Sequence, residues 1–398
     1  MKVVVLGTAE NHHIHRWCTW LAAQGLTVTL LSDKPPRPAM DYKGVTIRGP
    51  EWNFWRNLYA FKIRGGPYAN NIHKWRAYRR IIEEERPDVI HAHDALVNGP
   101  TLAHFPKNPR VLTPWGPDVE LLERGPKEKQ RLVRHAVKSA DIIVTNAPGM
   151  EERWSRLMGV SRDRLRLFSW GIDTHIFQPR TEPEKLTIRA ELGVSSLRPI
   201  MLSPRLAKPY YHIDTIMRAW QAARQGAVEG STLAEAYLVI LRAGADESSW
   251  AALVKQAKEM RNPSIRLMDV RLSPAQMAAI YSTSAGVVMI PETDLLSMSL
   301  LESIACGCIP VLLPQPCNQS AVEEISEHPR KAVGIYAASA EEKDVAQAFR
   351  KWGEIPAAQR PMLAEHNVEY AAKNQSWDVC AKGMLEAYEA ARARAVDL

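Results

Sequence analysis

Cysteine is scarce in this chain: five thiols, Cys18, Cys306, Cys308, Cys317 and Cys380, are scattered through 398 residues. An odd number with wide spacing gives no disulfide framework and suits a reducing compartment. Long apolar runs are lacking as well. No stretch approaches the ~20 residues of a membrane span, so any contact with a bilayer is expected to be peripheral. The opening MKVVVLG has no charged n-region, apolar h-region and cleavage site, and reads as a strand rather than a signal peptide. Short repeats and low-complexity tracts are absent. Three histidines crowd together at His12, His13 and His15, but no acid or cysteine stands at ligand spacing, so no metal site is expected. No recognition helix or RNA-binding motif is present, which disfavours nucleic acid as a partner.

What the chain does have is material for two cores. Its length exceeds the ~250–300 residues at which one hydrophobic core usually stops growing, and 46% of it is hydrophobic. Charge is unevenly divided. Residues 1–180 carry 28 Lys and Arg against 18 Asp and Glu, a net of +10, within a whole-chain net of +7. The basic first half calls for an anionic partner such as a lipid headgroup or a lipid diphosphate. Part of that charge lies in 52–82, where aromatic and basic side chains interleave. This pattern suits an interface with anionic lipid, although Trp75, Tyr78 and Ile82 recur at the spacing of a helix with a buried face.

Apolar β-branched runs alternate with helical patterns twice over. In the first half VVVLG, VTLLS, VIHAH, VLTPW and DIIVTN are separated by helices near 14–24, 71–85 and 126–139. After a polar, proline-bearing pause at QPRTEPEKL the pattern restarts with PIMLSPR, YLVILRAG, IRLMD and GVVMIP. Strand–helix alternation means parallel sheets covered by helices on both faces, with ligands at the carboxyl ends of the strands. The residues 377–395 read as one long helix.

The most informative stretch is PETDLLSMSLLESIACGCIPVLLP, 291–314. The strand GVVMIP opens into a loop carrying Asp294. Ser299 and Glu302 then have the spacing of a capping box, and Gly307 ends the helix before the next strand. On its own such a box can be purely structural. A helix start at a ligand-binding sheet edge, however, attracts phosphate, whereas carboxylates accept hydrogen bonds from vicinal sugar hydroxyls. Acids flanking a phosphate-binding helix start point to a nucleotide sugar.

The same stretch resembles the donor-site signature of the retaining GT-B glycosyltransferases of family 4, an acid followed by a Glu and a small-residue helix. FSWGIDTHIFQP (168–179), SPRLAKPYYHIDTIMRAW (203–220) and AQMAAIYSTSAGVVMIP extend the resemblance along most of the chain. It implies an α/β GT-B fold: a Rossmann-like acceptor domain over 1–178, a Rossmann-like donor domain over 179–376 and a helix over 377–398 crossing back. The reaction it implies is metal-independent transfer of a sugar, with retention, from a nucleotide sugar to a glycan, lipid-linked or small-molecule hydroxyl, without a cofactor, in the cytoplasm or at the inner face of the membrane.

Site roles follow from that resemblance. Asp294 takes the transferred sugar and Glu302 the ribose, with Asp294 a departure from the commoner Glu. Arg205 forks onto the diphosphate and stabilises charge on the leaving group. Lys208 stands in for a lysine that the family places where this chain has Tyr210, and Tyr211 offers a phenolic hydroxyl. Gly244, Ser297, Met298, Ser299 and Leu300 complete the expected donor contacts. On the acceptor side stand Gly7, Glu10, His15, Asp94, Trp115 and Gly116. Trp115 occupies the place of the family's usual histidine, and Asp118 is a catalytic candidate or else a helix cap. His91 and His93 alternate on one strand and are expected to be satisfied core residues. Other readings are an epimerase acting on the donor without an acceptor, a metal-dependent transferase using Glu292-Thr293-Asp294, and a silent nucleotide-sugar-binding protein.

Overall fold

The computed structural model describes residues 1–38, 40–49, 78–194, 198–242, 246–270 and 272–396. Gly244 and most of the aromatic and basic stretch, including Trp75, fall outside them. Of that stretch Tyr78 and Ile82 are seen buried in a helical segment over 78–85.

The chain forms two compact units. One contains 1–145, 149–168 and 382–398; the other contains 146–148 and 169–381. In the first, seven strands make one parallel sheet: β1 (Lys2–Leu6), β2 (Thr27–Leu31), β3 (Val45–Arg48), β4 (Val89–His93), β5 (Arg110–Thr113), β6 (Ile142–Thr145) and β7 (Leu165–Leu167), in the order β3-β2-β1-β4-β5-β6-β7. The inner strands are buried along nearly their whole length, as β-branched runs in a sheet covered on both faces must be. Strand order reverses where β1 meets β4, in register from Val3 opposite Val89 to Leu6 opposite Ala92. Doubly wound sheets open a crevice at that reversal.

The second unit repeats the design with β8 (Ile200–Ser203), β9 (Tyr237–Leu241), β10 (Ile265–Met268), β11 (Gly286–Met289), β12 (Ile309–Leu312), β13 (Val322–Glu324) and β14 (Ala332–Tyr336). Its order, β10-β9-β8-β11-β12-β14-β13, reverses between β8 and β11. Trp220, Phe349 and Trp352 fill the core under one face, and the ring of Trp220 meets that of Phe349 edge-on at 5.2 Å. The chain passes tightly at Gly171, whose φ of +69° and close approach to Ser376 O and Trp377 Cα, 3.0 Å from any added Cβ, leave room only for glycine. Ile172 and Ser376 pair there as an isolated bridge.

Two elements differ from the sequence expectation. The terminal segment is two helices, Trp377–Cys380 and Lys382–Val396, interrupted at Ala381; within the second, Gly383 packs against the ring of Phe168, where an added Cβ would lie 2.5 Å from it. Lys382–Val396 lies on the first sheet with Tyr388 fully buried. The helix after Asp294 begins two residues earlier than expected, at Met298, with Ser297 rather than Ser299 in the cap position. Ser299 is therefore inside the helix, and no Ser299–Glu302 capping box forms. The hydroxyl of Ser297 caps no helix N–H, being engaged by Arg205.

Candidate functional site

In the second unit the chemistry gathers at the carboxyl edge of β8 and β11, where the strand order reverses. Arg205 stands just past β8 and Asp294 in the loop after β11. Arg205 Nη2 donates to Asp294 Oδ2 and to the Tyr211 hydroxyl, each at 2.8 Å, while Nη1 donates to the Ser297 hydroxyl. The ion-paired side chains are only 13% and 19% exposed. A guanidinium carries five N–H donors, and three contacts use part of that fork. Tyr210 stacks on Tyr211 with ring centroids 3.9 Å apart, and the Tyr210 carbonyl accepts the N–H of Glu292, tying the two loops together.

Helix Met298–Ala305 starts beside this cluster. Leu300 N–H is used by the Ser297 carbonyl at 3.1 Å and its side chain is buried, so its role is in the core. The N–H groups of Met298 and Ser299 belong to the first helical turn, which has no preceding carbonyls to bond. Lys208 is exposed at the head of the turn Pro209–Tyr211 and has no ion pair among the described residues. Glu302 lies further along the helix, beside the buried Tyr281 and Cys306. Burial first, and Glu302 with it, push the Tyr281 phenol and the Cys306 thiol up. The structure thus brings together Arg205, Tyr211, Asp294 and Ser297, with Glu302 carried further along the helix that starts beside them.

In the first unit a cavity of about 270 Å³ opens at the carboxyl ends of β1 and β4. Gly7, Glu10, Asp94 and Trp115 line it, together with His93, Arg37 and Asn98. Asp94 has a φ of +76°, and its Oδ1 accepts the N–H groups of Leu96 and Val97 at 2.8 Å, which fixes the turn after β4. Glu10 pairs with Lys34 at 3.3 Å. His15 and Gly116 do not line the cavity. His15 Nε2 meets the Asp41 carbonyl at 2.7 Å and packs on Tyr42, bracing a neighbouring loop.

Asp118 also lies behind the cavity wall. At 3% exposure its Oδ2 accepts the N–H of Trp115 at 2.7 Å and of Ala95 at 2.9 Å, clamping the start of helix Gly116–Arg124 to the turn after β4. Burial and the nearby Asp94 push its carboxyl up to about 7, against the pull of these N–H donors. This is a positioning contact of the helix-capping kind.

The two strand histidines part company. His91 is satisfied, Nδ1 by the Tyr388 hydroxyl and Nε2 by the Thr113 hydroxyl, both at 2.8 Å. His93, expected to be its satisfied twin, is 1% exposed and neither ring nitrogen has a hydrogen-bond partner among the described residues. The difference is positional: His91 lies deep enough on β4 to meet the terminal helix, whereas His93 ends the strand at the cavity. Among the described residues no group of three His, Cys, Asp or Glu is arranged to hold a metal ion, and the five cysteines are free and buried.

Two seven-stranded parallel sheets, each with its functional groups at the reversal of strand order, define a GT-B glycosyltransferase fold. Residues 11–176 match the sequence model described as Glycosyltransferase Family 4, so that this part of the chain is similar to the family. Solved structures of the same fold include sucrose-phosphate synthase from Thermosynechococcus elongatus, 15% identical, with a TM-score of 0.74 over 99% of this chain and 100% of that one. HepE of Anabaena in complex with UDP and glucose is 11% identical with a TM-score of 0.71, over 98% of this chain and 99% of its own. The catalytic domain of starch synthase IV from Arabidopsis thaliana, bound to ADP and acarbose, is 15% identical with a TM-score of 0.72, covering 99% of both chains. At these identities the likeness is one of fold. No curated protein matches the sequence significantly.

Proposed function

We propose that the chain is a metal-independent retaining glycosyltransferase whose second unit holds a nucleotide-sugar donor and whose first unit holds the acceptor. The observation that carries this reading is the Arg205–Asp294–Ser297–Tyr211 cluster at the head of helix Met298–Ala305. A cation and a helix start attract a diphosphate, and a carboxylate within the same cluster accepts sugar hydroxyls. UDP and ADP bound to proteins of the same fold support a nucleoside diphosphate as the leaving group.

In this reading Arg205 turns its unused N–H groups to the diphosphate and offsets the charge that grows as the glycosidic bond breaks. Lys208, exposed and without an ion pair among the described residues, adds a second cation at the rim. The N–H groups of Met298 and Ser299 receive phosphate oxygens, Asp294 orients the sugar and Glu302 takes the ribose. Asp118 acts by holding the acceptor loop in place. Metal independence rests on the Arg205–Asp294 contact, since a divalent ion on Asp294 would sit against a guanidinium 2.8 Å from that carboxylate. No cofactor is required by this scheme.

The exposed cations Lys127, Lys129, Arg131 and Lys138 of helix Lys127–Ser139 have no ion pair among the described residues. They favour a peripheral position at an anionic, cytoplasmic membrane face. No described helix is long and apolar enough to cross a membrane.

Thermal unfolding of the intact chain against UDP, GDP, ADP and their sugars tests the donor, because a ligand of the folded state raises the midpoint. NMR of the sugar released by slow donor hydrolysis then reads the first anomer formed, and activity in chelator reads metal dependence. An inverted anomer, or loss of activity in chelator, overturns the corresponding part. Epimerised donor would identify an epimerase, and tight binding without turnover a silent binding protein.

A further inference from the structure

Among the described residues, the side chain of His93 lines the first-unit cavity with both of its ring nitrogens unused. Its ring is enclosed, 1% exposed, and lines the cavity floor at the end of β4. Both ring nitrogens lack hydrogen-bond partners among the described residues. Its neighbour His91, 4.2 Å away between ring centroids, has a partner on each nitrogen, so the strand does supply partners where the fold requires them. Leaving a buried polar group unpaired costs about 1–3 kcal/mol, and an apolar ring would fill the same space. A second unused donor lies in the same wall: Trp115 Nε1–H is buried without a partner among the described residues. Burial, and then His13, hold the His93 imidazole down to about 3, so at neutral pH it offers one N–H donor and one nitrogen acceptor.

A hydroxyl both donates and accepts, and vicinal hydroxyls on a ring present several such groups at once. The cavity, about 270 Å³, is below the ~300–1,000 Å³ of sites for drug-sized ligands. It suits one monosaccharide unit better than an extended chain. Carboxylate or phosphate would satisfy only donors and leave the acceptor nitrogen of His93 bare. Arg37 at the cavity has no ion pair among the described residues, so an anionic substituent on the sugar finds a counter-charge there.

We propose that His93 is a specificity-determining residue of the acceptor pocket, gripping a hydroxyl of a single terminal monosaccharide unit through its ring nitrogens, with the indole N–H of Trp115 as the second contact. This deepens the transferase reading and rests on it.

The test uses the full chain with 15N-labelled histidine. His93 ring signals are assigned by their loss in H93F and followed during titration with glucose, mannose, galactose, N-acetylglucosamine and their 6-phosphates. At least one of these sugars should move both His93 ring signals and leave the His91 signals in place. H93F should weaken that sugar by about tenfold or more, the effect of one hydrogen bond lost at a buried polar contact. H93Q, which keeps a donor and an acceptor, should recover part of the affinity. The thermal midpoint of H93F should equal or exceed that of the wild type, whereas a structural histidine would lower it. No ring shift with any of the eight sugars, sugar affinity of H93F equal to the wild type, or a lowered H93F midpoint overturns the proposal. Binding of nucleoside diphosphates, measured in parallel, separates this failure from that of the transferase reading: wild-type protein that binds none of them removes the donor site, whatever His93 does.

Discussion

Replacing Asp294 by Asn removes one charge and almost no volume, and separates the two tasks assigned to this carboxylate. In the structure Asp294 Oδ2 receives Arg205 Nη2 at 2.8 Å and Oδ1 receives the Leu295 N–H at 2.9 Å. Exposed ion pairs contribute about 0–1 kcal/mol, and breaking a fully buried pair costs about 3–5 kcal/mol. With side chains 13% and 19% exposed, and with the amide oxygen of Asn still able to accept from Arg205, D294N should cost roughly 1–2 kcal/mol. For a unit of this size that lowers the thermal midpoint by about 2–8 °C. The catalytic loss should be larger. Hydrogen bonds to a charged group contribute about 1.5–3 kcal/mol, so donor turnover should fall roughly 10- to 150-fold. Affinity for the free nucleoside diphosphate should stay level or tighten, because Arg205 no longer has a carboxylate to neutralise it. Calorimetric titration with the diphosphate and release of the same diphosphate from its sugar are the paired assays. Turnover within twofold of the wild type, or diphosphate affinity lost in step with turnover, would refute the assignment.

Three further outcomes are expected. G171A should destabilise the second unit by about 1–3 kcal/mol, through a positive φ that alanine resists and contact with Ser376 and Trp377, read as a lower urea midpoint. Y388F leaves His91 Nδ1 without its 2.8 Å partner and should cost about 1–3 kcal/mol in the first unit; an unchanged midpoint would show that His91 finds another partner. Asp118 gives a pH signature. Its folded pKa is raised to about 7, above the ordinary carboxyl value, so the folded state holds the extra proton. The resulting contribution is fully present below about pH 4 and is lost as pH rises through 7, with a slope of up to about 1.4 kcal/mol per pH unit. D118N should flatten the fall in stability between pH 5 and 8 relative to the wild type, and equal slopes in the two proteins would place the titration elsewhere.

The inner strands were legible because a parallel sheet buried on both faces demands continuous β-branched runs, and VVVL, IIVT and GVVM supply them. Strands β3, β7, β13 and β14 were not: the first three are short edge strands such as Val45–Arg48, half-exposed and without such a run, and β14, though buried inside its sheet, is the glycine-interrupted AVGIY. The turn at β11 announced Asp294, yet the helix start was misplaced at Ser299. Local spacing reads a capping box, while the actual start is set by Arg205 reaching Ser297 from 92 residues away. The sequence likewise treats His91 and His93 alike. What distinguishes them is Tyr388, 297 residues further on, and no local pattern records it. Asp118 could be read as cap or catalyst from its position alone; only its N–H partners at Ala95 and Trp115 locate it behind the wall.

The helix Lys382–Val396 has a consequence for how the chain is made. Its tyrosine closes over a strand translated nearly three hundred residues earlier, so the first sheet emerges from the ribosome with β4–β7 uncovered on the side of this helix and His91 half-bonded. Throughout synthesis of the second unit that face stays open to water, to chaperones or to a wrong partner. Completion of the earlier unit is thus postponed until the later one has been threaded through, and a stop codon shortly before Lys382 would damage the half of the molecule that it does not encode last.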